Sequence, residues 1–270
     1  MSCMRNFLII GFLFIMYGCT GYHYVPSPHY VPLNTEKGEL SVCTGPNHIE
    51  LGYSFANHFS CFASGKLRST VGGLSLQGMF NKENSGVERK GDASNEINIG
   101  LSYFNKFKFL RFEVLGGTGV GSLDYEHTID LVTDYEFKLN TSRQNLFIQP
   151  NVGVKIGNYL EAGISAKFLR CRYYDIKTEF IPGSNSADVS PDTYFIGKKN
   201  IDVYFFETGL TFRAGFKNFK AQVQIIPEID SSNTQIKCPE LGFFIGFNMN
   251  LNVLKIKENS KPKVTALSQF

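Results

Sequence analysis

The residues best suited to catalysis form one short cluster in the middle of the chain. Asp124, Glu126, His127 and Asp130 lie within seven positions of one another. A histidine beside carboxylates can activate water for hydrolysis when a nucleophile or a metal ion is close by. His127 is the only histidine beyond residue 58, so no second histidine supports a metal site. Four polar residues this close together are more typical of a solvated loop. We therefore predict no enzyme, no bound metal and no cofactor.

Two further patterns have a chemical interpretation that the sequence does not favour. Residues 116–121 read GGTGVG. A phosphate-binding loop would end in Gly-Lys-Ser/Thr and precede a helix, so this run indicates glycines in a curved strand. His23 and His29 belong to a spacer rich in Tyr and Pro, residues 21–33. Such a spacer is typical of an extended tether and not of a ligand set.

Cys19 is expected to be modified. It follows a leader in which Arg5 supplies positive charge and residues 7–16 are almost wholly apolar. The sequence Met16-Tyr17-Gly18-Cys19 resembles the lipobox of bacterial lipoproteins, where the leader is cut before the cysteine and the cysteine is acylated. An ordinary secretory signal or a short membrane anchor is the alternative, although the apolar run is too short for a comfortable span. No acidic run follows Cys19, which favours a lipid on the periplasmic side.

The charge and the cysteines limit the possible partners and cross-links. A formal net charge of +3 is too small and too dispersed to indicate nucleic-acid binding. Besides Cys19, the processed chain keeps Cys43, Cys61, Cys171 and Cys238. An even number permits disulfides in an exported protein. Because each cysteine lies in a different segment and no C-x-x-C spacing occurs, free thiols are favoured, and the disulfide state stays open.

From residue 38 onward the chain repeats a two-residue pattern. Apolar side chains recur at every second position in segments of about ten residues, as half-buried strands require. Trp is absent whereas Phe, Tyr and Gly are abundant, which also favours strands. Ten strands are predicted, with eight or twelve as alternatives. They cover residues 39–44, 49–55, 59–67, 95–104, 109–122, 146–156, 160–168, 202–213, 219–225 and 241–251.

Short and long connections alternate between these strands. The tight ones are residues 56–58, 105–106, 157–158 and 215–218, and the long polar ones are residues 68–93, 123–143, 174–200 and 228–239. This arrangement is typical of outer-membrane barrels with short periplasmic turns. The predicted fold is all-β, an up-and-down antiparallel transmembrane β-barrel. The chain then divides into a signal peptide, a tether, the barrel and a periplasmic tail, at residues 1–18, 19–37, 38–253 and 254–270.

The polar positions of the strands indicate a narrow lumen. A soluble barrel of the lipocalin type shows the same alternation with the apolar face inward, so periodicity alone does not choose. Here the polar positions carry mostly Gly, Ser, Asn and Gln with single charges. Since a lone charge away from water is costly, we expect these charges to pair and fill the lumen, with an open pore as the alternative. The expected network is Glu96, Arg111, Glu113, Lys155, Glu161, Lys167, Glu207 and Lys220.

Together these features resemble a family of small, largely uncharacterised outer-membrane β-barrel lipoproteins. The features are the leader ending at Cys19, the spacer with Tyr30-Val31-Pro32-Leu33, the Lys37-Gly38-Glu39 start of the first strand, and the alternating segments. The resemblance covers nearly the whole mature chain. It implies an architecture and transfers no functional residues.

We therefore expect a non-enzymatic lipoprotein of the outer membrane of a Gram-negative bacterium, lipid-anchored at Cys19. Its surface loops would bind a ligand or shield the cell surface. The expected partners are outer-membrane lipid and an extracellular ligand of unknown identity, without nucleic acid, and the barrel is expected to be a monomer. A small-solute channel is the main alternative, followed by a barrel-mouth hydrolase and a soluble lipid-carrying barrel.

Overall fold

The structure is a computed structural model that describes residues 23–68, 93–129, 135–181, 194–232, 236, 238 and 241–254. At several strand ends the backbone is described without the side chains, namely at residues 68, 125–129, 135–137, 180–181 and 228. The predicted leader with Cys19, parts of the predicted long loops and the tail beyond residue 254 lie outside the described residues.

Ten antiparallel strands close into one barrel. Each strand pairs with its neighbours in sequence, and β1 also pairs with β10. The predicted all-β barrel and its strand count are therefore confirmed. The strands are β1 Glu39–Gly45, β2 His48–Tyr53, β3 Phe59–Arg68, β4 Ala93–Phe107, β5 Leu110–Ile129, β6 Tyr135–Ile156, β7 Leu160–Ile181, β8 Asn200–Gly215, β9 Phe219–Ser231 and β10 Gly242–Asn252.

The barrel has two different rims. One rim, here called the short-turn rim, carries the turns at residues 54–58, 108–109, 157–159 and 216–218, together with the start of β1 and the end of β10. The other, the long-loop rim, carries the connections at residues 46–47, 69–92, 130–134, 182–199 and 232–241. The predicted placement of tight turns on one side is therefore confirmed.

Three strands are much longer than predicted. β5, β6 and β7 have 20, 22 and 22 residues. The prediction of a polar loop over residues 123–143 is wrong, because β5 continues to Ile129 and β6 begins at Tyr135. Likewise β7 continues to Ile181, inside the predicted loop 174–200. The exposed residues of this region are polar, as Asp124 and Asn140 show, and this polarity hides the alternation in the sequence.

The two faces of the sheet exchange character partway along the strands. Towards the short-turn rim, apolar side chains point outward and polar ones inward: Ile164 of β7 is 62% exposed, whereas Lys167 is buried. Beyond residue 168 the pattern reverses, since Leu169 is buried and Arg170 is exposed. The lumen is therefore polar in the half next to the short-turn rim and apolar near the long-loop rim.

In the sequence of residues 202–213 the aromatic residues do not alternate regularly, and the structure gives two reasons. The pairing of β8 with β9 shifts register between Thr208 and Leu210. In addition, the reversal of the two faces places Phe205 in the buried core while Tyr204 on the opposite face is exposed. Aromatic residues therefore occur on both faces of β8.

Candidate functional site in the barrel lumen

The lumen is occupied by the chain's own residues 23–35, here called the luminal segment. All its residues from 23 to 34 are buried except the half-buried Val25, and Tyr24, Val31 and Leu33 are at most 1% exposed. The sequence predicts an extended tether here. The structure places the described part of that region inside the barrel, before the chain turns into β1.

The luminal segment runs from the long-loop rim to the short-turn rim. At its first end, the hydroxyl of Tyr173 in the upper part of β7 donates to the carbonyl of His23 at 3.2 Å. At its other end, Nδ2 of Asn34 donates to Oγ of Ser60 at 3.3 Å, one residue into β3. The segment therefore crosses most of the barrel's length.

Wall side chains bind the backbone of the luminal segment. Gln149 and Asn151 donate from their side-chain amides to the carbonyl of Tyr30 at 2.8 and 3.0 Å. The side chain of Gln224 accepts from the His29 N–H at 2.6 Å and donates to the His29 carbonyl at 2.9 Å. Prolines at positions 26, 28 and 32 have no N–H and cannot donate to a strand ladder. The wall therefore supplies hydrogen-bond partners that a sheet would otherwise give.

Glycines on the inner wall make room for this segment. A Cβ atom built on Gly209 would lie 2.7 Å from Nδ1 of His29, and one built on Gly163 would lie 3.1 Å from Cγ1 of Val31. Both distances are tighter than ordinary van der Waals contact. The inner face of the barrel is therefore shaped to the segment, and a side chain at Gly209 would push against it.

Glu207 of β8 joins the luminal segment to the wall. Its Oε2 lies 2.9 Å from Nε2 of His29 and 3.7 Å from Nζ of Lys167. Its Oε1 accepts a hydrogen bond from the Tyr24 hydroxyl. Nδ1 of His29 lies 2.7 Å from Oγ of Ser165. Because a buried charge is stable only when it is paired and hydrogen-bonded, this cluster ties two strands and the segment together.

A second buried ion pair lies beside the segment. Nη2 of Arg143 bonds Oε2 of Glu96, and both side chains are almost fully buried. Oε1 of Glu96 accepts from Ser27 of the luminal segment at 2.9 Å and from Asn98 at 2.6 Å. The Arg143 guanidinium also lies 5.8 Å from the centroid of the Tyr24 ring, within cation–π range.

The third cluster lies near the short-turn rim. Oε1 of Glu161 is 3.2 Å from Nζ of Lys220 and 3.7 Å from Nζ of Lys155. Oε2 of Glu161 is 3.3 Å from Nη1 of Arg213. Three cations therefore surround one carboxylate, and Nε of Arg213 donates in addition to the side-chain oxygen of Gln222 at 2.6 Å.

Most of the predicted luminal charges take part in these clusters. Glu113 is buried but accepts from neutral side chains, Asn34 at 3.3 Å and Asn151 at 3.4 Å. Arg111 lies at the short-turn rim, where it donates to the carbonyls of Lys108 and Leu110. The predicted residues found in ion pairs are Glu96, Lys155, Glu161, Lys167, Glu207 and Lys220.

The sequence prediction missed two cations of the network, Arg143 and Arg213. Arg143 falls in the range predicted to be a loop, and Arg213 ends a predicted strand, residues 202–213, in which aromatic residues occupy both odd and even positions. A usable signal exists for Arg143. Extending the inward positions of β6 from Gln149 in steps of two residues reaches it directly, and the structure places it on the inner face.

Aromatic side chains close the lumen towards the long-loop rim. The Tyr24 ring stacks on Phe205 with the centroids 4.0 Å apart. Phe195, which follows β7, contacts the rings of His23 at 5.1 Å and Tyr173 at 5.6 Å in edge-to-face geometry. The first residues of the luminal segment therefore lie beneath an apolar cover.

Three residues of the acidic cluster, Asp124, Glu126 and His127, lie on β5 and not in a loop. Asp124 is exposed and accepts a hydrogen bond from Asn140, while the side chains of Glu126 and His127 and all of Asp130 lie outside the described residues. The glycine run 116–121 lies inside β5, as predicted. Within the described ranges, no three His, Cys, Asp or Glu side chains are grouped so that they could hold a metal ion. In the same ranges, no helix has the length and apolar character needed to cross a membrane.

The four described cysteines are free thiols. Cys43 and Cys171 are buried, and Cys61 is exposed on the outer face. Cys238 lies between β9 and β10, where burial raises the pKa of its thiol to about 12. Free thiols, the favoured interpretation of the sequence, are therefore what the structure has at these positions.

No family model matches this chain, and neither a curated protein nor a solved structure matches it. The resemblance to outer-membrane β-barrel lipoproteins therefore stays a prediction. The class of molecule is defined by its fold and its lumen: a closed ten-stranded antiparallel barrel filled by its own N-terminal segment.

Proposed function

We propose that the protein is a non-enzymatic outer-membrane β-barrel lipoprotein with a closed lumen, anchored by lipid at Cys19. In this proposal the short-turn rim faces the periplasm and the long-loop rim faces the outside of the cell. The loops of that rim bind an extracellular ligand or shield the surface. The observation that carries the proposal is the exposed apolar band on the outside of a barrel whose inside is charged.

The height of the apolar band supports a position in a bilayer. On β6 the outward apolar residues run from Leu146 to Ile156, which is eleven positions, and on β7 from Leu160 to Phe168, which is nine. Membrane strands need about 9–11 residues. Elsewhere in the band Ile99 is 58% exposed. A continuous band of outward apolar side chains is favourably solvated by lipid, as on the outer face of membrane barrels.

The contents of the lumen support a closed barrel. A soluble lipid carrier would present apolar side chains to an empty cavity. In this barrel, the half of the lumen next to the short-turn rim holds three ion-paired clusters and the luminal segment. The same contents leave little room for solutes. One cavity between the segment and the wall, lined in part by Ser27, Glu50 and Lys66, measures about 10 Å³, roughly the space of one water molecule.

A small-solute channel is the second candidate function. The wall residues Glu96, Arg143, Lys167 and Glu207 would line a polar passage if the luminal segment left the barrel. That departure would break the hydrogen bonds to Gln224 and the contact with Glu207 described above. The closed state is therefore the proposed resting state, and a channel requires release of the segment.

Membrane fractionation combined with gel migration tests this proposal. We expect the protein to fractionate with the outer membrane and to migrate faster on a denaturing gel before heating than after it. A Cys19→Ser variant is the matched control, since it should lose incorporation of labelled fatty acid while keeping the heat-dependent migration. Recovery of the processed chain as a detergent-free soluble monomer would contradict the membrane barrel. Normal fatty-acid labelling of the serine variant would contradict the anchor alone.

A further inference from the structure

We infer that the N-terminal lipid lies on the same side of the membrane as the long loops, in the outer leaflet, and that the chain then enters the barrel from outside. This inference rests on the proposed function for the presence of a membrane and of a lipid at Cys19. It goes beyond that proposal by assigning the modified residue to one leaflet. The absence of an acidic run after Cys19 favours the opposite side, so the two observations make different forecasts.

The direction of the luminal segment carries the inference. His23 is bonded by Tyr173, thirteen positions from the short-turn end of β7, and its ring contacts Phe195 beyond the far end of that strand. Asn34, eleven residues later, is bonded by Ser60 beside the short turns. The contacts between these ends follow the same order. The segment therefore descends from the long-loop rim, and residues preceding His23 start from that rim.

The reach of the chain is too small for the other rim. Cys19 lies four positions before His23, and these four steps span at most about 14 Å when fully extended. The thirteen steps along β7 from Leu160 to Tyr173 cover about 43 Å, or about 33 Å along the barrel axis at a tilt of about 40°. A cysteine tethered to His23 cannot cross that distance, and the space below is filled by the segment itself.

The wall of the barrel gives the lipid a route to the outer leaflet. The apolar band on β7 ends at Phe168, five positions before Tyr173, so His23 already lies level with the polar outer surface above the band. On the opposite part of the circumference, β1 and β2 have only seven and six residues and turn at residues 46–47. The barrel wall is therefore shorter at β1 and β2 than at β7, measured from the short-turn rim. A chain leaving the lumen above this hairpin meets the bilayer on the long-loop side.

Site-specific proteolysis in cells tests the inference. A seven-residue protease recognition site with short Gly-Ser flanks is inserted after Thr20 in one variant. Matched insertions are placed between Lys198 and Lys199, exposed near the long-loop rim, and between Gly157 and Asn158, exposed in a short turn. The protease is added to intact cells and, separately, to cells with a permeabilised outer membrane. Heat-dependent gel migration shows for each variant that the barrel is folded.

The three sites separate the possible outcomes. We expect the insertions after Thr20 and after Lys198 to be cleaved on intact cells, and the one after Gly157 only after permeabilisation. If the insertion after Thr20 is cleaved only after permeabilisation, like the insertion after Gly157, the inference is overturned while the proposed outer-membrane barrel is left intact. If the insertions after Thr20 and after Lys198 are both cleaved only after permeabilisation, both sites lie on the periplasmic side of the outer membrane. This result would overturn the outer-leaflet assignment and the proposed orientation. Resistance of the Lys198 insertion alone would contradict the proposed orientation.

Discussion

Nε2 of His29 and Oε2 of Glu207 lie 2.9 Å apart inside the barrel, and neither side chain is exposed to solvent. His29 precedes the first strand, whereas Glu207 belongs to the eighth, 178 positions later. Lys167, 3.7 Å from the same carboxylate oxygen, adds the seventh strand to the contact. Formation of the wall and placement of the luminal segment are therefore coupled at one buried carboxylate.

The first prediction concerns this buried carboxylate. Glu207→Ala should lower the free energy of unfolding by about 3–5 kcal/mol, because it leaves the Lys167 charge buried without its partner. Asp202→Ala on the same strand is the control. Asp202 pairs with Arg170 at 3.1 Å, but both side chains are more than 40% exposed, so its loss should cost less than about 1 kcal/mol. Urea titration in lipid vesicles measures both, and equal costs would contradict the structural role of Glu207.

The second prediction concerns the room that glycines provide. Gly209→Val should displace the luminal segment, because the new Cβ would lie 2.7 Å from both the His29 ring and Oγ of Ser165. Gly116→Val is the control, since the nearest atom to a Cβ there is the Phe147 carbonyl oxygen at 4.0 Å. Limited chymotrypsin digestion of the folded protein measures the effect. Cleavage at Tyr24 or Tyr30 should appear in the Gly209 variant and not in the control, and full protection in both would count against a fitted segment.

The third prediction concerns the outer surface. Val152→Lys should cost about 2–4 kcal/mol in vesicles, because the residue faces outward within the apolar band. Gln144→Lys is the matched control on the same strand and the same face, above the band, and should cost about 0–1 kcal/mol. Ile99→Lys and Phe243→Lys should behave like Val152→Lys. A refolding titration that shows equal tolerance at Val152 and Gln144 would mean that the band does not contact lipid.

The fourth prediction concerns the Cys238 thiol, whose pKa burial raises to about 12. At pH 8 roughly one thiol in ten thousand is ionised, compared with about a quarter for a free cysteine. With Cys43, Cys61 and Cys171 replaced by Ala, alkylation of the folded protein should therefore be slow at pH 8. The rate should rise about tenfold per pH unit between pH 8 and pH 11. Alkylation at pH 8 as fast as that of a cysteine peptide would show that the surroundings of the half-buried Cys238 do not raise the pKa of its thiol.

The sequence predicted the barrel wall better than its contents, for physical reasons. Within the apolar band every outward position must suit the same surroundings, so strands such as β10 show regular alternation. Towards the long-loop rim the two faces exchange character. Polar outward residues there, such as Arg170 and Asn140, give the strands a sequence that is typical of a loop. The inward positions continue to recur at every second residue through this change. The position of Arg143 on the inner face of β6 was therefore predictable from the sequence.

The luminal segment could not be predicted from its own sequence. Residues 23–35 show no strand alternation, and a stretch rich in Tyr and Pro is equally suited to an open tether. Its position depends on complementarity with distant residues, including Gln224 for the His29 backbone and Gly163 for the Val31 side chain. These wall residues acquire their meaning only when the segment lies beside them.

Current across a planar bilayer measures most directly whether the luminal segment closes the barrel. The intact protein should give no stable current, whereas a variant lacking residues 23–35 should give stable single-channel steps, because the charged wall is then open to water. Heat-dependent gel migration confirms that the deletion variant is folded, and the Gly209→Val variant provides a second, full-length case with a displaced segment. Stable currents from the intact protein, of the same size as those from the deletion variant, would contradict the closed barrel and make the channel the better account.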